Sequence, residues 1–240
     1  MHSPFVFDFI LNVLNGREKY PLPTAIDSLR SALLRDHRPL DIVDLGAGSR
    51  VHTPGRKTVR QLAKTAVKPR KYGSLLYRLV KHYQPLNIIE LGTSLGVTTA
   101  SLALANPLAH VATIEGSPQV AGIAAENFRR LHLSNIRSLE GNFDHLLPPL
   151  LQEVPSLDLG FVDGNHRLRP TLDYFHQMLA HVHNSSILVF DDIHWSAEME
   201  QAWEQIKQHP AVRYTVDVFF LGFVFFRSEF REKQHFVIRY

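Results

Sequence analysis

NIIELGTSLGVTTASLALA, residues 87–105, reads as a strand, a glycine turn and a helix in direct succession. An apolar run ends in an acid, Glu90, and Gly92 and Gly96 bracket the turn that follows. VTTASLALA then continues as a helix. A strand that passes through glycines into a helix lets the backbone approach a ligand and points the helix's free N–H groups at it. Such a site also wants an acid at the end of the next strand, for a ribose hydroxyl. Glu115 closes HVATIE, residues 110–115, at about that distance. The spacing Gly92-Thr93-Ser94-Leu95-Gly96 is not G-x-G-x-x-G, which disfavours a dinucleotide. A second glycine stretch, DIVDLGAGSR at 41–50, has the glycines alone. Pro54 and Gly55 follow it, with no apolar helical stripe and no suitable strand. Residues 87–105 are therefore the expected nucleotide-type site.

Outward from this stretch, strand patterns alternate with helical ones. Strands are expected at 87–91, 110–115, 136–141, 157–163 and 186–191, and helices near 96–106, 118–131, 143–151, 168–183 and 195–208. Five βα units call for a parallel sheet covered on both faces. RYTVDVFF (213–220) and GFVFFR (222–227) have almost nothing between them, which forces an antiparallel pair. Before residue 84 the pattern is mostly helical, with helices at 4–15 and 23–37 and two shorter ones on either side of Pro69. The expected fold is α/β: a doubly wound, mostly parallel seven-stranded sheet with a terminal antiparallel hairpin and an N-terminal helical cap. Residues 1–69 would form the cap and 70–240 the main domain. DIVDLGAG is expected as a buried loop of the cap. GFVFF and HFVIRY at the C-terminus either pair between subunits, giving a homodimer, or finish the core.

The 240 residues carry a net charge of +3, with 45% hydrophobic and 20% charged residues, as in ordinary globular chains. The absence of cysteine rules out disulfides, zinc–thiolate sites and iron–sulfur clusters, leaving oxygen and imidazole as metal ligands. No apolar run approaches the roughly 20 residues of a membrane span. The N-terminus lacks the basic leader and cleavage site of a signal peptide, so a cytoplasmic protein is expected. Between Asp44 and Glu90 there is no acid, while Arg50, Arg56, Lys57, Arg60, Lys64, Lys68, Arg70, Lys71, Arg78 and Lys81 fall in that span. This run is either a solvated helical face or an entry surface for an anionic ligand.

E-x-G-x-x-x-G from Glu90 to Gly96, the acid Glu115 and the terminal hairpin resemble the class I S-adenosylmethionine-dependent methyltransferases, whose fold is Rossmann-like. The resemblance covers roughly residues 70–230. It implies S-adenosylmethionine as cofactor, with Glu90, Gly92, Thr93, Gly96 and Thr98 around the methionine moiety. Glu115 would take the ribose hydroxyls, and Asn142 and Phe143, in EGNFD, would lie at the adenine. It also places Lys71, Tyr72 and Gly73 near the cofactor or substrate.

LDLGFVDGNHR (157–167) and SILVFDDIHWS (186–196) deliver Asp163, Asp191 and Asp192 to the same edge of the sheet. Three carboxylates so close need a cation or hydrogen-bond donors, and oxygen ligands of this kind suit Mg²⁺ or Ca²⁺. The arrangement resembles the catechol O-methyltransferase-like branch and the related bacterial sugar and natural-product O-methyltransferases. That resemblance implies a divalent ion on Asp163, Asp191 and Asp192, with Asp163 also next to the cofactor. Two positions depart from the catechol enzymes: Asp192 stands for their Asn, and His166 for the lysine three residues after their first Asp. His166 and His194 each follow an Asp by three residues and are candidate bases for the acceptor's proton. Trp195 either walls the acceptor pocket or packs on the next helix.

The expected activity is methyl transfer from S-adenosylmethionine to a small-molecule acceptor, at a hydroxyl oxygen and with metal assistance. Arg50, Arg56 and Lys57 would neutralise an anionic acceptor. Two other readings remain at this point. One is a methyltransferase for RNA or protein that docks through the basic N-terminal region; nucleic acid is disfavoured by the lack of an N/D-P-P-Y motif after the fourth strand. The other is a non-catalytic cofactor-binding protein of the same fold.

Overall fold

The computed structural model describes residues 3–42 and 55–240. Ser3 caps α1 (Pro4–Asp8) by accepting the Val6 N–H, and α1 runs directly into a π-helical stretch (Phe9–Leu14). The expected helix over 4–15 is thus two kinds of helix end to end. Then come α2 (Thr24–Leu33), β1 (Pro39–Ile42), β2 (Gly55–Thr58), α3 (Val59–Thr65) and α4 (Arg70–Tyr83). A capping box between Thr58 and Gln61 starts α3, and Pro69 separates α3 from α4.

The alternating half follows: β3 (Asn87–Leu91), α5 (Val97–Ala105), β4 (His110–Glu115), α6 (Pro118–Arg130), β5 (Ile136–Glu140) and α7 (Phe143–Glu153). It continues with β6 (Leu157–Val162), α8 (Leu168–Leu179), β7 (Val182–Asp191), α9 (Ala197–Gln208), β8 (Tyr214–Asp217), β9 (Leu221–Phe225) and β10 (Gln234–Val237). The main sheet runs β10-β8-β9-β7-β6-β3-β4-β5. Strands β3 to β7 are parallel, and β9 lies antiparallel between β7 and β8. The chain winds from β3 through β4 to β5, then returns to the other side of β3 as β6 and β7. The strand order therefore reverses between β3 and β6, where open α/β sheets bind ligands.

The expected fold class holds, with three corrections. The sheet has eight strands among the described residues, because β10 adds to β8 in parallel register. HFVIRY thereby forms an edge strand on its own chain. Strand β7 begins at Val182, not 186: its polar start is held by Ser186, whose hydroxyl donates to the Leu157 carbonyl (2.6 Å) and accepts the His183 N–H (2.7 Å). Finally, DIVDLGAG is not simply a cap loop. Its first residues form β1, which pairs antiparallel with β2 in a separate two-stranded sheet; residues 43–54 lie outside the described ones. Leu40 of β1 is buried with Val59, Leu62, Val120 and Ile123, and the Asp41 N–H donates to Gln119 of α6 (2.7 Å).

The N-terminal segment shares its cores with the sheet. Val6, Phe9 and Val13 are buried with Leu75, Phe223 and Phe225 on one face. The other face buries Ile89, Tyr174, Phe190 and Trp203. Burial of this kind, at about 25 cal/mol per Å² of apolar surface, is the main force holding the layers together.

Candidate active site

At the tips of the parallel strands lies a cavity of about 820 Å³. The β3 turn builds one wall. Gly92 has φ +103°, and a Cβ there would lie 2.0 Å from the Asp163 carbonyl oxygen, so only glycine lets this turn approach the end of β6. Gly96 has φ +77° and starts α5; a Cβ there would lie 2.6 Å from the Phe128 ring. Glu115, at the end of β4, accepts N–H groups from Ser94 (2.8 Å) and Ser117 (3.0 Å). Burial pushes its carboxyl above the ordinary range. Asn142 caps α7 by accepting the Asp144 N–H (2.8 Å), and Phe143 stacks edge-on to Tyr174.

Of the expected cofactor residues, Gly92, Glu115, Asn142, Phe143 and Asp163 line this cavity, together with Ser94, Gly116 and Gly141. Glu90, Thr93, Gly96 and Thr98 are not part of its lining. The Thr93 and Thr113 hydroxyls are hydrogen-bonded at 2.6 Å. Glu90 is fully buried; Thr99 and Thr113 donate to its Oε2, while Oε1 has no partner. Burial pushes the Glu90 carboxyl up to about 8. The buried Ser94 hydroxyl also has no partner. The orphaned Ser94 hydroxyl in the cavity lining, beside the glycine turn and with an acid on the next strand, fits a cofactor that offers an amino-acid group and a ribose.

The opposite wall carries the charged groups. Asp163 follows β6, Asp191 ends β7, and both reach the cavity with His166 and Asp192. Asp163, His166 and Asp191 bring ligand atoms within 4.8 Å of one another. Asp192 is outside that group and lies 4.0 Å from His166 Nε2. His166 Nε2 also lies 3.8 Å from Asp163. His194, the other expected base, does not line the cavity. It pairs with Asp217 (2.8 Å), whose other oxygen accepts the Phe219 N–H, so it holds the β8–β9 turn. Trp195 does not pack on α9. It is 73% exposed and stands at the cavity wall with Phe220.

Nothing in the sequence singles out Lys68 beyond its place in the acid-free run. Its ammonium lies 3.1 Å from Asp163 Oδ2 and in direct contact with Asp191 Oδ2. The side chain is 11% exposed and passes 5.6 Å from the centre of the Phe161 ring. Burial opposes its charge, but the two carboxylates outweigh burial and raise its pKa above the ordinary lysine value. Burial and the charge of Asp163 push the Asp191 carboxyl well above its ordinary value, and Lys68 acts against them. A divalent ion needs ligand oxygens at about 2.0–2.6 Å. The Lys68 ammonium already stands between the carboxylates that would supply them, so the residues present do not fit the expected ion. From the basic run, Lys57 also lines the cavity; Arg56 is exposed and Arg50 lies outside the described residues. Tyr72 lines the cavity, whereas Lys71 lies over the Tyr240 ring.

Residues 89–193 match a family described as a methyltransferase domain. A curated relative, the uncharacterized protein R132 of Acanthamoeba polyphaga mimivirus, is 28% identical over 81 residues, or 32% of this chain. The match spans 37% of the viral protein's length. Among solved structures, methyltransferase PaMTH1 of Podospora anserina, bound to S-adenosylhomocysteine, has a TM-score of 0.66 at 14% identity. That likeness covers 95% of this chain and 98% of the other. An O-methyltransferase of Bacillus cereus, also in complex with S-adenosylhomocysteine, has a TM-score of 0.58 at 19% identity, over 89% and 96% of the two chains. Identities this low establish a shared fold; the family match covers the stretch that holds the β3 turn, Glu115, Asp163 and Asp191. Residues 89–193 thus match a methyltransferase domain, and the fold around them is the one shared with these solved methyltransferases.

Proposed function

We propose that the chain transfers a methyl group from S-adenosylmethionine to a hydroxyl oxygen of a small-molecule acceptor. The observation that carries this reading is one cavity shared by two walls. The glycine turn and Glu115 line one side, and the Lys68–Asp163–Asp191 cluster with His166 lines the other. When bound, S-adenosylmethionine supplies a methyl carbon on a sulfonium sulfur, open to in-line displacement.

The chain's own residues do the rest. Glu115 accepts the ribose hydroxyls, and the Gly92–Ser94 turn faces the amino-acid end. Asn142 and Phe143 bound the adenine. Trp195, Phe220 and Tyr72 give the acceptor an apolar, aromatic wall and keep water from the reacting oxygen. His166 lines the cavity with Nε2 3.8 Å from Asp163 and 4.0 Å from Asp192, and takes the hydroxyl proton as the base. Alignment of oxygen and methyl carbon is the larger contribution, as in other bimolecular reactions made unimolecular by binding. Lys57 would meet an acceptor's anionic group at the mouth.

The test is calorimetric titration of S-adenosylmethionine and S-adenosylhomocysteine into the protein and into Glu115→Ala. Micromolar binding that the variant loses is the expected result. A screen of hydroxylated acceptors with methyl-labelled cofactor then follows. No binding to the unmodified chain would sink the reading.

A further inference from the structure

We propose that Lys68 is the resident cation of this site: its ammonium occupies the place between Asp163 and Asp191 that the expected divalent ion would take, and the site works without a metal. This deepens the methyl-transfer reading and rests on it for the role of the cavity, but the occupancy of the carboxylate pair stands on geometry alone.

Three observations carry it. First, the contacts: Lys68 Nζ lies 3.1 Å from Asp163 Oδ2 and touches Asp191 Oδ2, bridging two carboxylates from neighbouring strands. An ion bound to those oxygens at about 2.0–2.6 Å would share their space with the ammonium, and two cations so close repel each other strongly. Second, the anchoring: Lys68 is not a surface lysine that has swung inward. Arg30 of α2 donates to the Lys68 carbonyl at 2.7 Å, and Pro69 fixes the next backbone angle as the chain enters α4. The side chain is 11% exposed, and its partners 18% and 5%. The backbone is tied on the C-terminal side of the residue, where the chain enters α4, so the ammonium is delivered by the fold. Third, the chemistry of the donors: Asp163, His166 and Asp191 are close enough to hold an ion, and Asp192 is not part of that group. The geometry is that of a cation site with its cation supplied in the chain.

The consequence is a changed role for the carboxylate pair. With Lys68 between them, Asp163 and Asp191 are compensated and held rigid. His166 remains the group that faces both the pair and the cavity. Lys68 is a positioning residue in this account, since its charge is engaged by the two acids. Its arrival from the cap also makes residues 66–69 part of the site, although every other carboxylate-wall residue comes from the sheet's edge.

The experiment is titration of Mn²⁺ and Mg²⁺, by calorimetry and by electron paramagnetic resonance of Mn²⁺, into the full chain, Lys68→Met, Asp191→Asn, and the double variant Lys68→Met/Asp191→Asn. The unmodified chain is expected to show no saturable binding up to millimolar metal. Lys68→Met should bind Mn²⁺ at least tenfold more tightly than the unmodified chain, and the double variant should lose that gain. Saturable binding to the unmodified chain that Asp191→Asn abolishes would overturn the proposal, as would equal Mn²⁺ behaviour with and without Lys68. If Lys68→Met does not fold, the unmodified chain and Asp191→Asn decide between the same two outcomes. None of these readings needs the cofactor, so a chain that fails to bind S-adenosylhomocysteine would refute the methyl-transfer reading separately.

Discussion

Glu90 shows how a single buried carboxyl makes the fold's stability depend on pH. It is fully buried, with one oxygen satisfied by two threonines and the other by nothing. Burial raises its folded pKa to about 8 from an ordinary 4.5. Between those values the folded chain keeps a proton that the unfolded chain has released. The stability this provides is full below pH 4.5, declines as pH rises, and is gone above about 8. Glu90→Gln, which cannot ionise, should flatten that slope. Relative to the variant, the unmodified chain should lose on the order of 4 kcal/mol between pH 5 and pH 9, read from urea unfolding at each pH. His166 makes the complementary prediction. If it takes the acceptor's proton, His166→Ala should lower kcat by roughly 10²- to 10⁴-fold and leave S-adenosylhomocysteine affinity unchanged. Equal loss of both would make His166 a structural group.

At the scale of elements, α4 is what ties the N-terminal segment to the sheet. Its Arg78 is 2% exposed and donates to the carbonyls of Val13 (2.5 Å) and Leu14 (3.1 Å) and to the Tyr240 hydroxyl (2.7 Å). One guanidinium thus closes the end of the π-helical stretch and holds the C-terminus, because its five donors can serve several acceptors at once. Arg78→Met would fill much of the same volume but leave two buried carbonyls without donors. The expected loss is on the order of 3 kcal/mol, a fall in Tm of roughly 6–12 °C for a chain of this size. Arg78 does not line the cavity, so cofactor affinity of the folded variant should be unchanged. Loss of affinity as well would show that α4 transmits strain to the β3 turn.

For the whole molecule, the reversal of strand order between β3 and β6 sets the site. The cofactor wall comes from β3, β4 and β5, the carboxylate wall from β6 and β7, and both tips open at the same edge. A ligand that bridges the walls should stabilise the molecule as one unit. S-adenosylhomocysteine at about 100 times its dissociation constant should add about 2.7 kcal/mol and raise Tm by roughly 5–10 °C, measured by thermal shift. Glu115→Ala should show no such rise. The far edge, where β10 pairs with β8, is remote from both walls in strand order.

The layer architecture and much of the cavity's lining were legible in the sequence. Alternation of apolar strands with amphipathic helices is a local signal, and so is a glycine turn followed by a helix. Gly92, Glu115, Asn142, Phe143 and Asp163 could be placed because each sits at a strand's end, where topology leaves little choice. Three things were decided only in the tertiary structure. β10 is four residues long, half-buried and exposed by turns with no buried position, and only its register with β8 defines it. His194 follows Asp191 at the same spacing as His166 follows Asp163, yet Asp217, from a strand distant in sequence, draws it out of the cavity. Lys68 is one lysine among many in a basic run, and its distinction is a pairing across roughly a hundred residues of chain. Charge pairs of that kind carry no periodicity and no motif, because the partner is chosen by the fold and not by the neighbours.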